Sequence, residues 1–496
     1  MTDVKEELEL MIRSRYPIIY LITWEELRVK RFLQNITTAL NKQLYSWSIS
    51  SGMESNGRTI DEAKSAEAAL DFIEKSSDNA LFILKDFHPF LKEEMVAVIR
   101  RMRDLSIRLK RSYKTIVIES PILQIPPELE KEISVLDFPL PTLQELSDLL
   151  KAMLHSVESS RKITINATPD IMERAVKASL GLTENEAENV FAKALVSSSS
   201  FDERDIPLII SEKKQLIRKT GLLEYFDLSE TIKNVGGLEN LKKWLSERSH
   251  AFTEKAREYG LPQPKGLLLL GVQGCGKSLI SKAIANLWQL PLLRLDVGQM
   301  FNSYIGASEA NMRKAIKIAE SIAPVVLWLD EIEKGFGGVS GSGASDAGTT
   351  ARVFATFLTW LQEKTSPVFV VATANNIDIL PPELVRKGRF DDIFFVDLPA
   401  LEERKEIFRI HIRKRGRAPE TFDIDALSAA TEGFSGAEIE QLVIDALYRV
   451  FPQGRDINAK DLASVIGETI PLSQTMAEEI NKLREWAKDR ARPASK

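Results

Sequence analysis

The stretch Gly271-Val272-Gln273-Gly274-Cys275-Gly276-Lys277-Ser278 constrains this chain more than any other. It follows the apolar run Gly266–Leu270 and opens onto a helical pattern, so strand, glycine-rich loop and helix come in that order. Glycines let consecutive backbone amides turn inward around an anion, and a helix start adds partial positive charge. Lys277 would then reach the β- and γ-phosphates of a nucleotide, and Ser278 would ligate Mg²⁺. The loop predicts an α/β fold with a parallel sheet and a phosphate site at the end of a buried strand.

The rest of the second half supplies what phosphate chemistry needs. Val325–Leu329 reads as a second strand delivering Asp330 to the magnesium shell and Glu331 to an attacking water. Val368–Ala372 is a third strand, and Asn375 just beyond it can bond both the γ-phosphate and the water. Ile393–Val396 is a fourth. Arg386 and Arg389 flank Gly388, and a guanidinium delivered to the developing charge favours phosphoryl transfer. After Leu401 the pattern turns helical.

The first half repeats this plan. Ala178, Gly181, Glu186, Glu188, Ala194 and Leu195 match Ala430, Gly433, Glu438, Glu440, Ala446 and Leu447 at constant spacing. Thr183 with Glu186, and Ser435 with Glu438, form the same capping box. Pro126–Leu129 echoes Pro381–Leu384, and the run Leu81–Leu84 leading to Asp86 echoes Val325–Leu329 leading to Asp330. The first copy lacks a phosphate loop. The strand Ile18–Ile22 is followed by Thr23-Trp24-Glu25-Glu26, whose carboxylates would repel a triphosphate.

Together with Val235-Gly236-Gly237-Leu238, these motifs resemble the AAA ATPase family over residues 231–470. The resemblance implies ATP and Mg²⁺ as ligands and a hexameric ring of this chain. Gly271, Val272, Gln273, Gly274, Cys275, Gly276, Lys277 and Ser278 would cradle the phosphates. Asn234, Val235 and Gly236 resemble the adenine-contacting segment, and His411 the lid histidine near the ribose. Asn375 resembles the first sensor, and Gly436 and Ala437 occupy the second-sensor position. Arg386 and Arg389 resemble arginine fingers that reach a neighbouring subunit's γ-phosphate. Gln273, Cys275, Ala374 and Lys387 depart from common family residues without removing a required charge. The full length, more softly, is similar to a divergent AAA branch of algal chloroplast genomes and cyanobacteria. The expected organisation is a degenerate AAA-like domain over 1–200 and a linker over 201–230, with a helix over Glu212–Phe226. A large α/β subdomain over 231–400, a helical lid over 401–470 and a charged tail over 471–496 follow.

What such a ring acts on is less constrained. Tyr304 and Ile305, before Gly306, resemble a pore loop that grips a threaded chain, and Gly335–Gly348 is a Gly/Ser-rich insertion. Against a protein substrate stands the basic stretch Arg100–Lys114, which is either a solvated face with Met102, Leu105 and Leu109 turned inward or a nucleic-acid stripe. A regulatory scaffold that binds ATP without needing turnover is a third reading. A net charge of -5, from 66 basic and 71 acidic residues, gives no global pull toward nucleic acid or membrane. No apolar run is long enough to span a bilayer. No metalloprotease pattern appears. The single Cys275 fits a reducing compartment, and the resemblance to the algal and cyanobacterial branch implies that this is a cyanobacterial cytoplasm or a chloroplast stroma. At a helix start its thiolate is expected to be favoured, which would raise its reactivity.

Overall fold

The structure, a computed structural model, describes residues 4–55, 57–61, 64–76, 79–158, 164–165, 168–198, 200–219, 221–226, 230–297, 307–339, 344–386 and 388–496. The chain divides into two compact units, Met1–Ile209 and Ile210–Lys496, each built on a seven-stranded sheet.

The first sheet holds β1 (Ile18–Ile22), β2 (Gln43–Ser48), β3 (Gly52–Ser55), β4 (Arg58–Asp61), β5 (Ala80–Lys85), β6 (Thr115–Ser120) and β7 (Ile133–Asp137). Their spatial order is β4-β3-β2-β5-β6-β1-β7. A short pair, β8 (Thr164–Ile165) and β9 (Ser200–Phe201), lies apart from this sheet in sequence. The second sheet holds β10 (Leu223–Phe226), β11 (Gly266–Gly271), β12 (Leu292–Leu295), β13 (Val325–Leu329), β14 (Val368–Ala374), β15 (Asp392–Val396) and β16 (Arg492–Pro493). Its order is β10-β12-β13-β14-β11-β15-β16. The parallel cores coincide: β2-β5-β6-β1-β7 in one unit and β12-β13-β14-β11-β15 in the other. The internal repeat read from scattered residues is therefore a repeat of topology.

The central strands are uninterrupted apolar runs because both sheet faces are covered. Alternate residues feed different layers. Leu268, Leu270, Val325, Leu327, Val368 and Val370 join one core, while Leu267, Leu269, Val326, Trp328, Phe369 and Val371 join the other. Each such buried side chain contributes roughly 1.5–3 kcal/mol. Beyond the sheet, the helices Leu401–Lys414, Ile424–Ala430, Gly436–Val450 and Ala459–Glu468 pack around Phe408, Ile412, Leu442, Val443 and Leu462. Both capping boxes form. Thr183 N–H donates to Glu186 at 2.9 Å, and Ser435 N–H donates to Glu438 at 2.7 Å.

Three stretches differ from expectation. The helix placed over Glu212–Phe226 runs Asp205–Lys219, and Leu223–Phe226 is instead the edge strand β10, antiparallel to β12. Residues 471–496, expected as a charged tail, fold into the helices Leu472–Thr475 and Ala477–Ala487 and the strand β16. Ile480, Leu483 and Ala487 form a buried stripe there, diluted in sequence by the charges between them. Finally, strand pairing sets Leu84 against Ile118 as it sets Leu329 against Ala372. Asp86 therefore matches Glu331 rather than Asp330, and Lys85 holds the place of Asp330. Asp86 (φ 47°) and Glu331 (φ 49°) share a left-handed backbone that non-glycine residues rarely adopt.

Candidate active site

The loop Val272–Gly276 joins β11 to the helix Lys277–Trp288. Gly276, at φ 87°, is the left-handed residue that turns the chain into that helix, where a side chain would be strained. Lys277 is buried, and its Nζ donates to the carbonyls of Gly271 at 2.9 Å and Val272 at 2.7 Å. Burial outweighs the nearby carboxylates and pulls its pKa down to about 8.

Neighbouring strand ends complete the constellation. Ser278 Oγ donates to Asp330 Oδ1 at 3.0 Å, and Thr373 Oγ1 donates to the same oxygen at 2.7 Å. The Thr373 hydroxyl also accepts the Glu331 amide at 2.9 Å, so it ties β14 to the turn carrying both acids. Asn375 Nδ2 donates to Glu331 Oε1 at 3.1 Å, and the Asn375 amide donates to Glu333 Oε1 at 2.9 Å. Glu331 also pairs with Lys334. The left-handed backbone at Glu331 is a strained conformation held by these bonds.

A cavity of about 330 Å³ joins these groups. It is bounded by residues 273–278 of the loop, by Asn234, Val235 and Gly236, by Asp330, Glu331 and Asn375, and on the helical side by His411, Gly436 and Ala437. The Ala437 amide donates to the Gly274 carbonyl at 2.9 Å, which seats the helix Gly436–Val450 on the phosphate loop. His411 Nδ1 lies 3.4 Å from Glu440; burial lowers the imidazole pKa while Glu440 opposes that shift. Arg386 is exposed and Arg389 bonds the Glu383 carbonyl; neither bounds the cavity. Tyr304 and Ile305 lie outside the described residues, as does Lys387.

The corresponding place in the first unit is closed by its own side chains. After β1 the helix Glu26–Ala39 begins directly behind Thr23, Trp24 and Glu25, which leaves no loop to wrap an anion. Glu26 opens that helix as Lys277 opens its counterpart, and Lys85 replaces Asp330, so both signs are exchanged. The two meet, with Lys85 Nζ donating to Glu26 at 2.8 Å. The buried Glu25 carboxyl pairs with Arg28 and accepts the Glu184 amide at 2.6 Å, two contacts that oppose the rise in its pKa caused by burial. Paired and hydrogen-bonded this way, a buried charge is tolerable.

Five of the seven basic residues in Arg100–Lys114 are likewise engaged within their unit. Its helix, Val96–Leu109, buries Met102, Leu105 and Leu109. Arg100 pairs with Asp104, Arg101 with Asp71, Arg108 with Glu74, and Lys110 with Glu132. Lys114 donates to the carbonyls of Ile73 and Glu74.

The profile of the ATPase family associated with various cellular activities (AAA) matches residues 267–398, and that of the AAA+ lid domain matches residues 421–462. The SpoVK-like AAA ATPase N-terminal domain matches residues 4–138, and the second domain of the same group residues 144–220. The AAA domain-containing protein ycf46 of Trieres chinensis is 45% identical over 487 residues, covering 97% of this chain and 96% of that protein. The chain belongs to the AAA ATPase family. Its ycf46 relative from Pyropia yezoensis is 43% identical over 496 residues, 99% of each chain. A proteasome-activating nucleotidase of Aeropyrum pernix is 35% identical over 243 residues, 46% of this chain and 57% of that one.

Two polar groups of this AAA site escaped the sequence reading. Thr373 is the one hydroxyl in the buried strand β14, and that isolation among apolar neighbours was its only signal. Glu333 is buried beside Lys277, with burial raising its pKa and its Oε2 without a hydrogen-bond partner. Cys275 corrects an expectation. Its thiol packs against apolar residues of the helix layer, and burial pushes its pKa up to about 12, beyond what Lys277 offsets. Burial therefore works against the thiolate that the helix start was expected to favour, although Cys275 is only half-buried and lines the cavity.

Proposed function

We propose that this chain hydrolyses ATP with Mg²⁺ at the interfaces of a hexameric ring of its own copies and spends that energy on remodelling a protein. The observation that carries the reading is the convergence of Ser278–Asp330 and Glu331–Asn375 on the cavity mouth beside the phosphate loop. Ser278 and Asp330 offer the hard oxygen donors that Mg²⁺ takes, and the ion would supply charge compensation at the phosphates. Lys277 balances β/γ-phosphate charge, while Asn234, Val235, Gly236, His411, Gly436 and Ala437 enclose the rest of the nucleotide. Glu331, aligned by Asn375, orients and deprotonates the attacking water. Arg386 and Arg389 do not bound their own cavity, and the exposed Arg386 can serve a neighbour's.

The name of the Aeropyrum pernix relative, a proteasome-activating nucleotidase, favours a protein substrate over nucleic acid. So does the pairing of the basic helix within its unit. Among the described residues no helix is long and apolar enough to cross a membrane. On this reading the ring works in a cyanobacterial cytoplasm or a chloroplast stroma. Steady-state ATPase rates with and without Mg²⁺, an unfolded protein, RNA or DNA test the proposal. Turnover is expected to vanish without Mg²⁺ and to rise severalfold with the unfolded protein only. Stimulation by nucleic acid alone would overturn the substrate assignment.

Lys277 adds a pH signature. Its pKa of about 8 lies below that of an ordinary lysine, so it is charged below that pH and loses its proton above it. Phosphate binding favours the charged form. ATP affinity should therefore hold through pH 7 and fall by up to about tenfold per unit above pH 8, with one proton taken up on binding. Calorimetry in two buffers of different ionisation enthalpy reads that proton directly; a flat affinity to pH 10 would refute the lowered pKa of Lys277.

A further inference from the structure

The segment that ends the described chain enters the ATPase unit as structure. β16 pairs in parallel with β15, Arg492 beside Phe394 and Pro493 beside Phe395, and Arg492 forms an ion pair with Asp392 at 2.9 Å. Ala494 follows, fully buried in the core that also holds Val235, Leu238 and Leu241. Its amide donates to the Phe395 carbonyl at 2.9 Å.

The carbonyl of Ala494 has a more unusual task. The helix Glu239–Glu247 starts from Leu238, whose left-handed backbone (φ 60°) and apolar side chain provide no cap. The first amides of a helix lack partners within it and need an acceptor from elsewhere. Here Asn240 N–H and Leu241 N–H both donate to Ala494 O, at 3.0 and 3.1 Å. Asn240 Nδ2 also donates to the Ser495 carbonyl at 2.5 Å. The helix that follows the cavity-bounding turn of Val235 and Gly236 is thus capped from a segment about 250 residues away in sequence.

Ser495 extends the same contact to the lid. Its hydroxyl donates to Glu403 Oε1 at 2.5 Å, and that oxygen also accepts the Leu238 amide at 3.0 Å. The other oxygen of Glu403 accepts the Ala400 amide at 2.9 Å, at the start of the helix Leu401–Lys414 that carries His411. Gly237 must approach closely for this: at φ 68°, a side-chain carbon there would sit 2.2 Å from Glu403 Oε1. One carboxylate therefore joins the base-side turn, the lid's first helix and the segment 492–495.

We propose that residues 492–495 are a latch that positions the turn 235–238 against the lid, with Ala494 and Ser495 as positioning residues for the adenosine end of the nucleotide. This rests on the reading of the cavity as an ATP site. Because the latch touches neither the phosphate loop nor Glu331, its loss acts on binding rather than on the chemical step.

The test compares the unchanged chain with a chain lacking residues 492–496 and with Ser495→Ala, Ser495→Thr and Asn240→Ala. ATP and GTP affinities, KM and kcat are measured, together with amide hydrogen exchange at Asn240 and Leu241 without nucleotide. Removing 492–496 is expected to raise the ATP Kd and KM about tenfold, leave kcat within about twofold and narrow the preference for ATP over GTP. Asn240 and Leu241 should lose protection. Ser495→Ala should raise Kd about threefold, the scale of one hydrogen bond, with Ser495→Thr restoring it. If the shortened chain fails to fold, Ser495→Ala and Asn240→Ala decide the question alone. Unchanged KM and protected amides, or an equal loss of kcat and affinity unrescued by Ser495→Thr, would overturn the latch. An unchanged chain that binds no ATP would instead overturn the nucleotide reading, and the latch with it.

Discussion

Glu331→Gln is expected to bind ATP about as tightly as the unchanged chain and to hydrolyse it roughly 10²- to 10⁴-fold more slowly, the range assigned to general base catalysis. The substitution keeps the size and the hydrogen-bonding oxygen that accepts from Asn375, but removes the negative charge that can take a proton. The phosphate cradle depends on the loop, Lys277 and Ser278 and is untouched. The Thr373 hydroxyl still accepts the Glu331 amide, so the backbone bond that helps to hold the left-handed conformation at residue 331 is kept as well. Binding and turnover thus separate. Rapid-quench measurement of bound ATP against product should find nucleotide retained intact, and turnover near the normal rate would remove Glu331 from the role of base. Lys277→Ala gives the opposite pattern, abolishing nucleotide binding by the whole chain. The first unit is expected not to substitute, since it has no phosphate loop and Lys85 donates to Glu26 at 2.8 Å instead.

Arg386→Ala should keep ATP binding and lose turnover by roughly 10³-fold, the scale of other arginine fingers. The physical ground is that Arg386 takes no part in bounding its own site. Arg386 is exposed beyond β14, and neither it nor Arg389 bounds the cavity that Lys277 and Glu331 face. If the guanidinium acts, it acts on a neighbour, and hydrolysis then requires assembly and rises more than linearly with protein concentration. Mixing Arg386→Ala with Lys277→Ala should recover partial activity from two inactive chains. Some interfaces then pair the intact phosphate loop of the first with the intact Arg386 of the second. The measurement is an ATPase titration of the two chains after dissociation and reassembly. No recovery in proven mixed rings, or full activity of a monomeric unchanged chain, would refute catalysis between subunits.

The site was legible in the sequence where its residues are contiguous or lie at a strand end. A phosphate loop needs consecutive amides, a lysine and a hydroxyl, so the whole requirement sits in eight neighbouring residues from Gly271 to Ser278. Asp330, Glu331 and Asn375 could be picked as candidates because a buried parallel strand announces itself as an apolar run, and ligands of open α/β sheets bind at such strand ends. The internal repeat was visible through its capping boxes, which are local by nature.

Tertiary structure decided what depends on which strands become neighbours. Thr373 matters because β13 and β14 pair in a register that sets its hydroxyl over Asp330, and no local pattern carries that information. The first unit's site is closed by Glu26 meeting Lys85, where the sequence showed only repulsive carboxylates and no cation to balance them. Cys275 shows a related limit: proximity to a helix start is local, whereas the desolvation that raises its pKa depends on everything packed around the thiol. The segment 492–495 looked like the end of a charged tail because four residues hold too little apolar surface to signal a strand. Its place is fixed instead by unpaired partners elsewhere, the open edge of β15 and the uncapped amides of Asn240 and Leu241, and backbone groups leave no mark in a sequence.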